Sequence, residues 1–226
     1  FCALAVASAL AACLMASATD LLLVFVAMMF MNAITYYTAA FGKRSIASAE
    51  GATKYLIFSA VAAVFYLYGA AILFASAKSL KFGDLRMLLE QSPMTHEASL
   101  VVFVMLLFST TFLCGAFPMH LVSADAIEGA PTPGSSLLSL GPRAAGFSLL
   151  LRLSLTVFAR NGSAPGIMTM SSGLDWSGVI AVVASATMLI GALMALRQES
   201  AKRLVAFLVM VESGFGLLAL LVLDEV

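Results

Sequence analysis

Seven runs of mostly apolar residues, joined by short links, dominate this chain. They lie at about 1–18, 20–41, 53–75, 98–121, 135–159, 176–197 and 201–223. A helix of about 20 such residues crosses the hydrocarbon core of a bilayer. Hydrocarbon offers no partner to open backbone groups, so spans of this kind are helical. Composition agrees: 62% of residues are hydrophobic and 11% charged, against about one-quarter charged in soluble domains. The expected fold is all-α, a polytopic membrane helix bundle of about seven spans forming one transmembrane domain over residues 1–226. The longest loop, about 76–97, contains "LRMLLEQ", which suits a short surface helix.

The first run lacks a basic leading segment and meets the second through only "SATD". It therefore reads as a span and not as a signal peptide. The chain begins at Phe1 without an initiator methionine, which fits either removal of a targeting segment or a longer chain containing these residues. A formal net charge of zero gives no reason to expect nucleic acid as a partner. If the spans alternate, Lys43, Arg44, Arg197, Lys202 and Arg203 share one side, and Lys78, Lys81, Arg86 and Arg160 the other. The positive-inside rule then slightly favours the Lys43 side as cytoplasmic or matrix-facing. Cys2, Cys13 and Cys114 lie in apolar runs without metal-ligand spacing and read as small buried hydrophobes. Asn161-Gly162-Ser163 matches a glycosylation sequon, and His96 beside Glu97 reads as solvated.

Five ionisable residues fall at expected membrane depth: Lys54, His120, Arg143, Arg152 and Glu212. Such residues usually face a bundle interior or a water path. Lys54 opens its span and can either snorkel to the interface or point inward. His120 follows Pro118, which breaks a helix by removing a backbone donor. It therefore sits either in a broken helix inside the bundle or at the headgroups beyond a helix that ends at Pro118. Arg143 and Arg152, nine residues apart, point to nearly opposite helix faces and are not expected to share a partner. Glu212 is too deep for its short side chain to reach a surface, so it is either neutral or paired with a buried cation. No nucleophile–base set, phosphate-cradling loop or metal cluster appears, so no catalytic centre or cofactor site is expected.

The stretch "FPMHLVSADAIEGAPTPGSSLLSLGPRAAGFSLLLRL" closely resembles the seventh and eighth helices of antiporter-like subunit N of respiratory complex I, NADH dehydrogenase subunit 2 in mitochondria. "EGAPTP" and "GPRAAGF", correctly spaced, are its specific marks. Subunits L and M and the Mrp-type antiporters are cousins. The likeness extends through "SATDLLLVFVAMMFMNAITYYTAAF", "SAEGATKYLIFSAVAAVFYLYGAAILF" and "MLIGALMALRQESAKRLVAFLVMVESGFGLL". It implies a proton-translocating polar axis at mid-membrane. By position, Lys54 matches the family's sixth-helix lysine, His120 the histidine after the broken-helix proline, and Arg143 an eighth-helix lysine. With Glu212 these are the proton-path candidates, and Lys54, Arg143 and Arg152 are the candidate partners of Glu212.

Two family positions have changed. Met29 stands where the family has a fifth-helix glutamate, and Leu113 where it has a seventh-helix lysine. Arginine, unlike lysine, stays charged in proteins. The resemblance thus implies a core membrane-arm subunit of NADH:ubiquinone oxidoreductase contributing to redox-coupled proton translocation. Its alternative is a degenerate scaffold subunit of the same arm that no longer conducts protons, and a free-standing cation/proton antiporter ranks third. In the scaffold case the axis between Lys54 and His120 is expected to be dry or interrupted, with Arg143 held by a fixed counter-charge. Other membrane-arm subunits and lipid are the expected partners. Direct binding of NADH, flavin or iron–sulfur clusters is not expected, because in complex I these belong to other subunits. The expected location is the mitochondrial inner membrane, with a bacterial plasma membrane as the alternative.

Overall fold

The computed structural model describes the chain except residues 43–44, 92–94, 159–175 and 223–226. Arg160, the sequon at 161–163 and the side chain of His96 lie outside the described residues. Nine α-helices occur among those described, and no strand does: α1 (Cys2–Ser17), α2 (Leu21–Ala39), α3 (Ile46–Ala77), α4 (Phe82–Gln91), α5 (His96–Cys114), α6 (Leu121–Gly129), α7 (Thr132–Leu153), α8 (Trp176–Ala195) and α9 (Ala201–Val222). A π-helical turn, Ser154–Phe158, extends α7.

Helix starts follow local chemistry. Asp20 caps α2 by accepting a hydrogen bond from the Leu23 amide at 2.7 Å, and the Ser45 hydroxyl accepts from the Ser48 amide at the start of α3. Each side chain satisfies one of the amides that a helix N-terminus leaves open. The Ser45 cap starts α3 seven residues before the apolar run, so α3 reaches 32 residues, about 48 Å. That exceeds the hydrocarbon thickness of about 30 Å, which lets its first turns lie outside the apolar layer.

Five helices, α2, α3, α5, α8 and α9, are long and apolar enough to cross a membrane. The other two expected runs are also helical, at α1 and α7, each with features of its own. At 16 residues α1 is shorter than a span. The 22-residue α7 is long enough, but it carries Pro133, Pro142, Arg143 and Arg152 and is lined with glycine and serine. It lies at the centre, touching α1, α2, α5, α6 and α9, with Pro142 and Arg143 buried there. The run expected over 98–121 is also two helices with a gap, α5 and α6. The short helix expected in the 76–97 loop is α4, whose Phe82, Leu85 and Leu89 are buried and which packs on the turn after α7.

Buried side chains form two clusters. The larger joins α1, α2, α3, α4, α5, α7, α8 and α9, and the smaller surrounds α6. Cys114 is buried, but Cys2 and Cys13 are exposed, because α1 packs on α2 and α7 alone and leaves its other face bare. At the glycines, the tightest backbone-to-backbone approach is α6 on α3. A Cβ at Gly129 would lie 2.6 Å from the Ala47 carbonyl oxygen, and one at Gly51 would lie 2.8 Å from that of Asp125. Small residues let membrane helices pack backbone to backbone in this way.

Gly129→Ala is therefore expected to lower the thermal midpoint, at a cost of about 1–3 kcal/mol for overpacking. Gly83→Ala serves as the control: it sits in α4 with nothing within 4 Å of its Cβ position, and should be neutral or slightly stabilising. Equal midpoints for Gly129→Ala and wild type would mean that α3 and α6 are not in contact.

Candidate functional site

The break between α5 and α6 organises the polar interior. Gly115 takes a left-handed backbone, φ +65, and ends α5 three residues before Pro118. The Gly115 amide bonds the Phe112 carbonyl at 3.2 Å, and the Ala116 amide the Thr111 carbonyl at 2.9 Å. This pattern stops a helix while satisfying two of its last carbonyls. Pro118, preceded by a cis peptide bond, lies in the turn that follows, and α6 resumes at Leu121.

The remaining open groups at the break are met from other helices. The Cys114 carbonyl accepts from Arg143 Nε of α7 at 3.2 Å and from the Ser213 hydroxyl of α9 at 2.9 Å. The Phe117 amide donates to the Thr187 hydroxyl of α8 at 3.1 Å. Arg143 Nη1 also donates to the Ser139 carbonyl one turn back. Arg143 is 7% exposed and stands about 17 Å along α7 from Thr132. It is held by two carbonyls; the counter-charge expected for it is replaced by backbone oxygen.

His120 is 5% exposed, inside the bundle, with its ring stacked on Phe117 at 6.0 Å. Its Nδ1 has no hydrogen-bond partner among the described residues. Leu113 is buried in the larger apolar cluster, and Met29 packs against the same cluster. Asn32, one turn beyond Met29, is buried with neither amide atom partnered among the described residues.

Lys54 belongs to a different group. Its Nζ lies 2.8 Å from both Glu50 and Asp125. Asp125 also meets Arg203 at 2.9 Å, and Arg203 Nε lies 2.5 Å from Glu128. Lys202 Nζ donates to the Ala130 carbonyl at 2.9 Å. Glu50, Lys54, Asp125, Glu128 and Arg203 line a cavity of about 120 Å³ between α3, α6 and α9, at the end of the bundle where α3 and α9 begin. The Lys54 side chain is 44% exposed, so it reaches outward while remaining paired.

Arg152 and Glu212 lie apart from both groups. Arg152 donates to the Ala16 carbonyl at the end of α1, on the side of α7 away from Arg143, as their nine-residue spacing requires. Glu212 is exposed and makes no hydrogen bond or ion pair with a described residue; it acts on Arg143 through space. Its neighbour Ser213 takes the inward position at 2% exposure. Consecutive helical residues are rotated by about 100°, so Glu212 turns away from the break, and Lys54, Arg143 and Arg152 all bond elsewhere.

Sequence reasoning did not assign Asp125, Glu128 or Arg203 to the site, although Glu128 opens "EGAPTP" and Asp125 lies three residues before it. The Glu50–Lys54 spacing of four residues was a usable signal. The Asp125–Arg203 contact, 78 residues apart, leaves none.

A membrane bundle with a helix broken in its interior, and a buried cation from a neighbouring helix at the break, defines the antiporter-like class of membrane subunit. The chain belongs to the NADH:quinone oxidoreductase/Mrp antiporter transmembrane family, whose description matches residues 18–225. It is 33% identical, over 229 aligned positions, to NADH-quinone oxidoreductase subunit N of Anaeromyxobacter sp. (strain Fw109-5), covering 97% of this chain and 44% of that protein. Subunit N of Geobacillus kaustophilus is 34% identical over 206 positions, covering 91% of this chain and 41% of the relative. Among solved structures, respiratory complex I from Thermus thermophilus with bound aureothin contains a chain that superposes with a TM-score of 0.76 at 29% identity, covering 95% of this chain and 43% of that one. The chain thus spans less than half the length of these relatives.

The charged cluster is half-solvated, with Asp125 28% and Arg203 41% exposed. Exposed ion pairs contribute about 0.2–1 kcal/mol. A double-mutant cycle of Asp125→Asn and Arg203→Gln, read by unfolding in detergent, should give a coupling within that range. A coupling of several kcal/mol would show the cluster to be dehydrated.

Proposed function

We propose that this chain is a membrane-arm subunit of an NADH:quinone oxidoreductase, set among other membrane subunits, and that its broken helix works as a fixed strut and not as a proton conductor. The observation carrying this reading is the bond from Arg143 Nε to the Cys114 carbonyl. A residue that stays protonated is spent on capping the break, so it has no exchange step to offer. Leu113 and Met29, packed in the apolar cluster, supply neither a proton-exchanging group nor a site for water. The cavity beside the break, about 20 Å³, and the cavity at Lys54 share no lining residue.

In this role the break joins α5 and α6 to α7, α8 and α9, while the charged cluster joins α6 to α3 and α9. A displacement imposed on one helix by a neighbouring subunit is carried to the others. The redox chemistry and any NADH, flavin or iron–sulfur site belong to other subunits. Exposed Glu212 supports a covered α9 surface, because a carboxylate facing hydrocarbon costs at least about 2.5 kcal/mol, whereas a neighbouring membrane helix can offer it a donor. The bacterial relatives favour the plasma membrane over the mitochondrial inner membrane. A second reading, direct proton translocation, is favoured by the ionisable cluster of Glu50, Lys54, Asp125, Glu128 and Arg203 around its cavity.

The test is the proton-to-electron ratio of the assembled complex. Arg143→Ala should leave the ratio unchanged per assembled complex while lowering thermal stability by about 1–3 kcal/mol, since the Cys114 carbonyl loses a charged donor. A fall by one subunit's share, with assembly intact, would establish direct translocation and overturn the strut.

A further inference from the structure

The cavity beside the break is small and lined by groups of unequal kind. Leu113, Phe112, Ala126, Ile127, Leu138 and Pro142 form its apolar walls, and Tyr55, Ser123 and Arg143 are the residues with polar side chains that line it. Tyr55 is 5% exposed, and its ring is fixed against Phe112 at 5.0 Å between centroids. Its hydroxyl interacts at most weakly with the Thr35 hydroxyl of α2, since that contact falls outside hydrogen-bond geometry and no other partner is present among the described residues. A buried hydroxyl without a partner costs about 1–3 kcal/mol, and a phenylalanine there would avoid that cost.

Arg143 is also incompletely used. A guanidinium carries five N–H donors; Nε and Nη1 go to carbonyls, and no hydrogen bond to a described residue is assigned to Nη2. A Cβ built on Gly115 would lie 3.2 Å from Arg143 Nη2 and 3.5 Å from Ser123 Oγ. The two atoms thus flank the same small space. Ser123 Oγ donates to the His120 carbonyl at 2.8 Å, which leaves its lone pairs free to accept. The volume of about 20 Å³ exceeds the roughly 10–15 Å³ that one water needs, and a buried water needs two to four polar partners.

We propose that this cavity binds one ordered water that accepts from Arg143 Nη2 and bridges it to the hydroxyls of Tyr55 and Ser123, making Tyr55 a positioning residue for the guanidinium. The bridge deepens the strut reading and rests on it. Tyr55 follows Lys54 on α3, and Ser123 precedes Asp125 on α6. One water would therefore tie the helices that carry the charged cluster to the arginine that caps the break. An isolated water with no successor is a clamp and not a wire.

The test is a cryo-EM map of the assembled complex at about 2 Å, for wild type and for Tyr55→Phe, which keeps the ring. The expected result is one peak within hydrogen-bonding distance of Tyr55 Oη and Arg143 in wild type. In the variant the peak should be lost, with Arg143 density spread over more than one rotamer. An empty cavity in wild type overturns the proposal, as does a peak that stays unmoved in Tyr55→Phe. A peak that strengthens when bromide replaces chloride would mark an anion and also overturn it. The proton-to-electron ratio of Tyr55→Phe, measured on the same preparation, reports on the strut separately. A lowered ratio with the peak lost as expected would end the strut reading and leave the water site standing.

Discussion

A helix interrupted inside hydrocarbon must find partners for the backbone groups it releases, and the rest of this bundle is arranged to supply them. Each such group left open in lipid costs several kcal/mol. Gly115 turns the chain back on its own carbonyls, which handles Thr111 and Phe112. The Cys114 carbonyl and the Phe117 amide then require donors and acceptors from outside the segment, and these come from Arg143, Ser213 and Thr187. Three helices are thereby fixed in rotation about one point. The same demand fits the central place of α7, the least apolar of the long helices: its Arg143 meets the open carbonyl at the break.

The charged cluster depends on the break in turn. The interruption lets α6 leave the line of α5 and approach α3 until Gly129 touches the Ala47 backbone. That approach delivers Asp125 and Glu128 to Lys54 and Arg203. A continuous helix through 114–129 would place those carboxylates by the rotation of α5 instead. The cluster is half-exposed and individually weak, so its value is in orientation: it sets α6 against both α3 and α9 at the end of the bundle.

Much of the fold was legible because it follows from burial. Apolar runs located five spanning helices, "LRMLLEQ" located α4, and Pro118 located the break, although the chain departs from the helix at Gly115. The other two runs, at α1 and α7, are also helical, but α1 is only 16 residues long and α7 carries arginines whose partners are backbone carbonyls of other helices. For the site, Arg143 and His120 were legible as residues that lipid would make expensive. Their partners were not, since backbone carbonyls have no residue signature. Glu212 shows the limit of reasoning from depth alone. Depth fixes the cost of a charge, but a rotation of one residue decides whether Ser213 or Glu212 faces the break.

Arginine, and not lysine, at position 143 gathers these constraints. Lysine presents a point charge on a flexible stem, releases its proton readily when buried, and can therefore move between partners. Arginine keeps its charge and offers a planar fork, here spread over the Cys114 and Ser139 carbonyls. A permanent cation at this depth is tolerable only where donors are met at once and without rearrangement. The apolar residues at 29 and 113 fit that condition, because neither adds a titrating group whose charge would have to change in step. Fixed charge, capped carbonyl and apolar neighbours are one consistent arrangement, and it is the arrangement that the proposed strut requires.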